Sequence, residues 1–136
     1  MKLPEKIYLI DTNVILRYLL GDHVNFSPKA EDFMLEVSKG VKKAEILDIV
    51  IVECIYVMEK FYNVPKSVIV DKLSKILNFS GIINPDRSKI FKALFQYEKS
   101  NIDIVDCILA SQSSLERVVV SFDKDFEKLE AVFETF

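Results

Sequence analysis

Short β-rich runs alternate with amphipathic helical stretches along this chain, and few folds accommodate that alternation. Lys6–Ile10 (KIYLI) reads as a strand ending at Asp11, and Thr12–Leu20 follows with Val14, Ile15, Leu19 and Leu20 in a helical rhythm closed by Gly21. Ser27-Pro28 supplies an N-cap and a first-position proline for a helix carrying Ala30, Phe33, Met34 and Val37 on one face and stopping near Gly40. Ala44–Leu47 is a second short strand, and Asp48 caps a helix over Ile49–Tyr62 that Pro65 ends. Ser67–Leu77 is a further amphipathic helix, and Phe79–Ile83 (FSGII) is a candidate third strand. Asn84-Pro85-Asp86 opens a helix through about Lys99, and Asp103 caps another over Ile104–Ser114. Arg117–Phe122 (RVVVSF) and Val132–Thr135 complete the strand set. Strands alternating with helices predict an α/β fold with a mainly parallel central sheet flanked by helices. No linker, repeat or shift in composition divides the chain, so residues 1–136 are expected to form one domain.

Composition then removes whole classes of chemistry. Half of the residues are hydrophobic, and only 3 Gly and 4 Pro are present, which argues against disorder. No apolar run approaches the roughly 18 residues that span a bilayer, and the N-terminus lacks a secretory apolar region, so a cytoplasmic location is expected. One histidine, His23, cannot build a histidine-rich zinc site or a triad with a partner histidine, and in the polar stretch GDHVNFSP it reads as a solvated loop residue. Cys54 and Cys107 lie far apart in apolar helical patterns and read as reduced core thiols. Gly21, Gly40 and Gly81 are too scattered for a phosphate-cradling loop. The net charge of −3 argues against a nucleic-acid partner only at first sight, because setting four clustered acids aside turns it positive.

Carboxylates are therefore the reactive groups to follow. In open parallel sheets, ligands bind beyond the carboxyl ends of the strands. Asp11 follows the first strand directly and Asp123 follows RVVVSF directly. Glu53 (DIVIVECIYVMEK) and Asp106 (NIDIVDCILA) stand in helical stretches that are otherwise apolar. Each has a purely local alternative. Asp11 is placed as an N-cap, Asp103 as a stronger one, Asp106 as a first-turn acid, and Asp123 as a turn residue before Asp125. Glu53 has no capping role to fall back on. Four carboxylates converging at one end of one sheet need a compensating charge, and oxygen donors alone select Mg²⁺ or Mn²⁺. Such ions support hydrolysis of a phosphate ester.

In order and spacing, IDTNVILRYLLGDH, IVECIYVMEKFY, DIVDCILA and VVVSFDKDF resemble the PIN-domain nucleases, above all the VapC-type toxins of toxin–antitoxin pairs. The resemblance spans nearly the whole chain and implies a PIN-like three-layer sandwich. By position it makes Asp11, Glu53, Asp106 and Asp123 the catalytic and metal-binding acids, with Asn13, Asp103 and Ser121 in supporting places. Cys107 stands where the family usually has alanine, and Ser121 where threonine is more usual; neither change removes a ligand. The resemblance further implies an endoribonuclease dependent on Mg²⁺ or Mn²⁺, an RNA substrate, a cognate antitoxin protein and a homodimer. Arg17, six residues after Asp11, and Lys124, beside Asp123, are the candidate RNA contacts, with an internal salt bridge as the alternative for Arg17 and an ordinary surface position for Lys124.

Three other functions compete. An Asp-dependent phosphatase shares the acid after the first strand but needs a second Asp where this chain has Asn13. A receiver-like signalling module would place its acids differently. A non-catalytic PIN-like scaffold or RNA-binding module is the third, against which the intact set of four acids speaks.

Overall fold

Chain punctuation set by glycine and proline survives almost unchanged in the structure, a computed structural model that describes residues 3–136. The chain packs as two compact units, a first up to Pro85 and a second over Asp86–Phe136. The fold class is α/β, helix-rich, with all strand pairing parallel among the described residues.

In the first unit, β1 (Ile7–Leu9) pairs in parallel with β2 (Lys43–Glu45), Tyr8 standing opposite Ala44. Between them lie α1 (Thr12–Leu20) and α2 (Phe26–Ser38), and after them α3 (Asp48–Lys60) and α4 (Lys66–Leu77). Helix α1 packs against α2 and α3, and α3 against α4. Ile15, Met34, Ile51, Ile55 and Leu73 are fully buried between these helices, the apolar stripe that their helical spacing predicts. Gly21 ends α1 in the left-handed region at φ 61°, with its N–H donating to the Arg17 carbonyl at 3.1 Å.

Three expectations are corrected here. Ser27 is not the N-cap of α2, because the helix starts at Phe26 with Asn25 at the cap. Its buried hydroxyl instead donates to the Arg17 carbonyl at 2.8 Å and accepts from the His23 N–H at 3.1 Å, tying α2 to the end of α1. Leu47, not Asp48, holds the N-cap position of α3, and Asp48 becomes a first-turn acid facing the positive end of the helix. The FSGII strand shrinks to one parallel bridge between Ala44 and Ile82, because the Phe79 N–H donates back to Ile76 and the Ile82 N–H to Phe79, which turns the chain.

Asn84 continues where that strand stops. Its buried side-chain amide donates to the Ile46 carbonyl at 2.6 Å and accepts from the Ile46 N–H at 2.9 Å, reproducing a ladder step with a side chain. Asn84→Ala removes the partner of both backbone groups, so denaturant unfolding is expected to show a loss of about 2 kcal/mol.

In the second unit, α5 (Arg87–Lys99) packs against α6 (Ile104–Gln112), followed by β3 (Val119–Val120), α7 (Asp125–Lys128) and β4 (Phe133–Glu134), which pairs in parallel with β3. Arg117 is not in the strand, since a turn pairs its N–H with the Ser114 carbonyl. Helix α6 stops at Gln112 because Ser113 is extended and its hydroxyl accepts from the Val132 N–H at 3.0 Å at the entry to β4. Among the described residues no helix is long and apolar enough to cross a membrane.

Candidate metal centre

Asp11 stands where β1 hands over to α1, with extended backbone (φ −74°, ψ 152°) and its carbonyl accepting from the Val14 N–H at 3.1 Å. It occupies the N-cap position, yet its side chain makes no capping hydrogen bond, and the residue is exposed. An aspartate at an N-cap ordinarily spends its carboxylate on the N–H groups of the first turn. This one does not.

Glu53 lies farther along the packed pair of helices, exposed on α3 beside the buried Cys54. The Cys54 thiol is pushed up from 9.0 to about 12, first by burial, then by the charge of Glu53, then by that of Asp11. Two residues 42 positions apart in the chain thus impose their charge on the same sulfur. Within the first unit, Asp11 and Glu53 face a common region.

The second unit holds the other acids. Asp103 is the true N-cap of α6, its Oδ1 accepting from the Val105 N–H at 2.8 Å, as the sequence predicts. Asp106 sits one turn further, half-buried, and its carboxyl is held above the ordinary 3.8 by burial first, then by Asp103, Asp123 and Asp125. Asp123 follows β3 in a tight turn, its Oδ1 accepting from the Asp125 N–H at 2.8 Å, while its own N–H donates to the Ser121 hydroxyl at 3.0 Å. That local turn role is real and leaves the second carboxylate oxygen of Asp123 outside it. Within either unit, among the described residues, no three His, Cys, Asp or Glu side chains are gathered closely enough to hold a metal ion.

Arg17 pairs with Asp22 just past the end of α1, Nη1 to Oδ1 at 2.9 Å, and the Tyr62 hydroxyl donates to the other Asp22 oxygen at 3.3 Å. The salt-bridge alternative for Arg17 is therefore occupied, with a loop acid as partner. Asn13 and Arg17 both line a cavity beside Asp11. Lys124 is exposed at the start of the four-residue helix α7. His23 has a structural role that its polar surroundings hid: its Nδ1 accepts from the Phe26 N–H at 2.9 Å and its ring stacks on Phe26.

A β-strand delivering an unspent aspartate to a helix start, with a glutamate facing the same region from a neighbouring helix, is an acid-site architecture of the α/β class. The sequence pattern of the PIN domain matches residues 8–132, and the chain belongs to that family. Over 124 residues, 89% of this chain and 90% of the relative, it is 29% identical to a VapC ribonuclease from Aquifex aeolicus (strain VF5).

Proposed function

We propose that this protein is a ribonuclease that hydrolyses RNA phosphodiester bonds with a divalent cation, in the manner of a VapC-type toxin. The observation that carries the reading is the Asp11 carboxylate, which sits at a helix N-cap without capping it and shares its field with Glu53. Likeness to a VapC ribonuclease over nearly the full length of both chains supports the reaction class. In this reading residues 1–136 act as one nuclease domain in the cytoplasm, with RNA as substrate, an antitoxin protein as partner and a homodimer as the working form.

The donor chemistry fits Mg²⁺ or Mn²⁺. Both cysteines are buried, the Cys54 thiol holds its proton, and His23 is engaged at the start of α2, which leaves carboxylate oxygens. Asp11, Glu53 and Asp106 would hold the ion, with Asp123 as the fourth acid, and the crowding that lifts the Asp106 pKa is the repulsion a cation relieves. When bound, such an ion supplies activation of water and neutralisation of charge on the phosphodiester. Asn13 and Ser121 shape the site's rim, and Asp103 holds α6 so that Asp106 is presented from its first turn.

Arg17 and Lys124 are proposed to steady the RNA phosphates. Arg17→Ala is expected to weaken RNA binding and flatten its dependence on salt, with the melting temperature nearly unchanged because the Arg17–Asp22 pair is partly exposed. The function is tested by incubating the purified protein with defined RNAs in Mn²⁺ and in EDTA. Cleavage in Mn²⁺ alone is expected; no cleavage of any RNA in either condition, or equal cleavage in both, would contradict it.

A further inference from the structure

Among the described residues no helix carries more net charge than α5. Within its 13 residues Arg87, Lys89, Lys92 and Lys99 are set against one acid, Glu98, in a chain whose net charge is −3. Its apolar side is spent on the interior, where Ile90, Ala93, Leu94 and Tyr97 are buried. At about 100° per residue, Lys92 and Lys99 stand within about 20° of each other at the centre of the opposite face, whereas Glu98 lies about 100° round the helix from Lys99. Lys89 flanks them one turn toward the N-terminus. All three lysines are exposed, and among the described residues none of them forms an ion pair. A surface lysine is commonly matched by an acid four residues away, as Lys75 is by Asp71 on α4. Within α5 the positions four residues from these lysines hold Ser88, Ala93, Phe95 and Gln96 instead. The Lys99 ammonium has only a ring beneath it, 4.1 Å from the Phe95 centroid.

A row of unpaired ammoniums, spanning about 15 Å from Lys89 to Lys99, matches a partner whose negative charges also come in a row. Two other partners fit this face badly. An anionic bilayer takes up a helix through its apolar side, and that of α5 is buried. A second copy would set the same positive charges against its own. The row also has a direction. The Ser100 hydroxyl donates to the Gln96 carbonyl at 2.7 Å and accepts from the Ile102 N–H at 3.2 Å, so the chain turns tightly after Lys99. Helix α6 then begins at Ile104, packed against α5, with Asp106 in its first turn. We infer that Lys89, Lys92 and Lys99 form a phosphate track that guides the RNA backbone along α5 toward Asp106. This rests on the ribonuclease reading and adds to it a binding surface outside the acids.

The test compares wild type with a track variant, Lys89→Gln, Lys92→Gln and Lys99→Gln together. A control variant carries Lys6→Gln, Lys39→Gln and Lys60→Gln, three exposed lysines elsewhere, so both variants lose the same charge. Each protein is titrated in EDTA, across a range of KCl, with an end-labelled RNA hairpin that has single-stranded flanks, and cleavage of the same RNA is followed in Mn²⁺. The track variant is expected to bind roughly tenfold or more weakly, with a slope of log affinity on log salt shallower by about 2, since each phosphate contact to a single strand contributes about 0.7. Its KM is expected to rise with kcat nearly unchanged, and its melting temperature to stay that of wild type. The control is expected to keep the wild-type slope and KM. A wild-type slope and KM in the track variant, or an equal loss in the control, overturns the track. A track variant that changes oligomeric state while its RNA affinity holds would assign the face to a second copy and overturn it equally. If wild type cuts RNA and the track variant binds and cuts it as well, the track falls and the ribonuclease reading stands. A wild type that neither binds nor cuts any RNA removes both.

Discussion

Asp11→Asn and Asp106→Asn are each expected to lower RNA cleavage by at least roughly a thousandfold while leaving a folded protein, because in the proposed site each removes a carboxylate charge without altering shape. The effect on stability separates this account from a structural role. Asp106 is held above its ordinary pKa in the folded chain by burial and by Asp103, Asp123 and Asp125. A folded-state pKa above the unfolded one means that unfolding releases a proton as pH rises between the two values. Stability therefore falls through that window, and the penalty persists at neutral pH. Below about 3.8 the penalty is absent. Asp106→Asn should accordingly be at least as stable as wild type at neutral pH, with the advantage vanishing in acid, as thermal melts across pH would show. Asp103→Ala makes the contrast, since that side chain caps α6 and its loss is expected to cost about 1 kcal/mol. Lower stability of Asp106→Asn at neutral pH would point to a structural carboxylate instead.

The largest loss of stability is expected from Gly81→Ala. A Cβ at that position would stand 2.2 Å from the Lys42 carbonyl oxygen and 2.5 Å from that of Val37. Both oxygens belong to the backbone around the parallel bridge, where the Gly81 N–H donates to Val37 and the Gly81 carbonyl accepts from Ala44, each at 2.8 Å. The Val37 oxygen cannot withdraw without breaking the hydrogen bond it accepts from Gly81. A loss of about 3 kcal/mol is expected in denaturant unfolding, larger than for Asn84→Ala on the same strand edge. A change below about 1 kcal/mol would mean that the turn relaxes far more readily than its packing implies.

Helices were the legible part of this fold. The rhythm of Thr12–Leu20 between an acid and a glycine predicts α1 to the residue, because local propensity and capping agree there. Strands were readable as places but not as lengths. RVVVSF has ideal β composition, yet only Val119 and Val120 form the ladder, since a turn takes Arg117 and the partner strand offers only Phe133 and Glu134. FSGII fails for a related reason: its glycine serves a close backbone approach, which composition does not reveal.

At the candidate site, the four acids stood out because Glu53 and Asp106 interrupt apolar helix and Asp11 follows a strand. What the sequence leaves open is whether a carboxylate at a helix start is spent on the helix. Asp103 is, and Asp11 is not, although both stand at N-caps in extended backbone. The His23–Phe26 pair was out of reach for another reason. Its geometry depends on where α2 starts, and the Ser-Pro signal points two residues too late.

The central claim of the proposed function is that the carboxylates of Asp11, Glu53, Asp106 and Asp123 bind a divalent cation. Titration of Mn²⁺ into wild type, Asp11→Asn and Asp106→Asn by calorimetry tests it directly. The account predicts binding to wild type that is lost or severely weakened in both variants, together with the rise in melting temperature that the ion produces. Wild-type Mn²⁺ affinity in Asp106→Asn, with Asp11→Asn alone impaired, would contradict it.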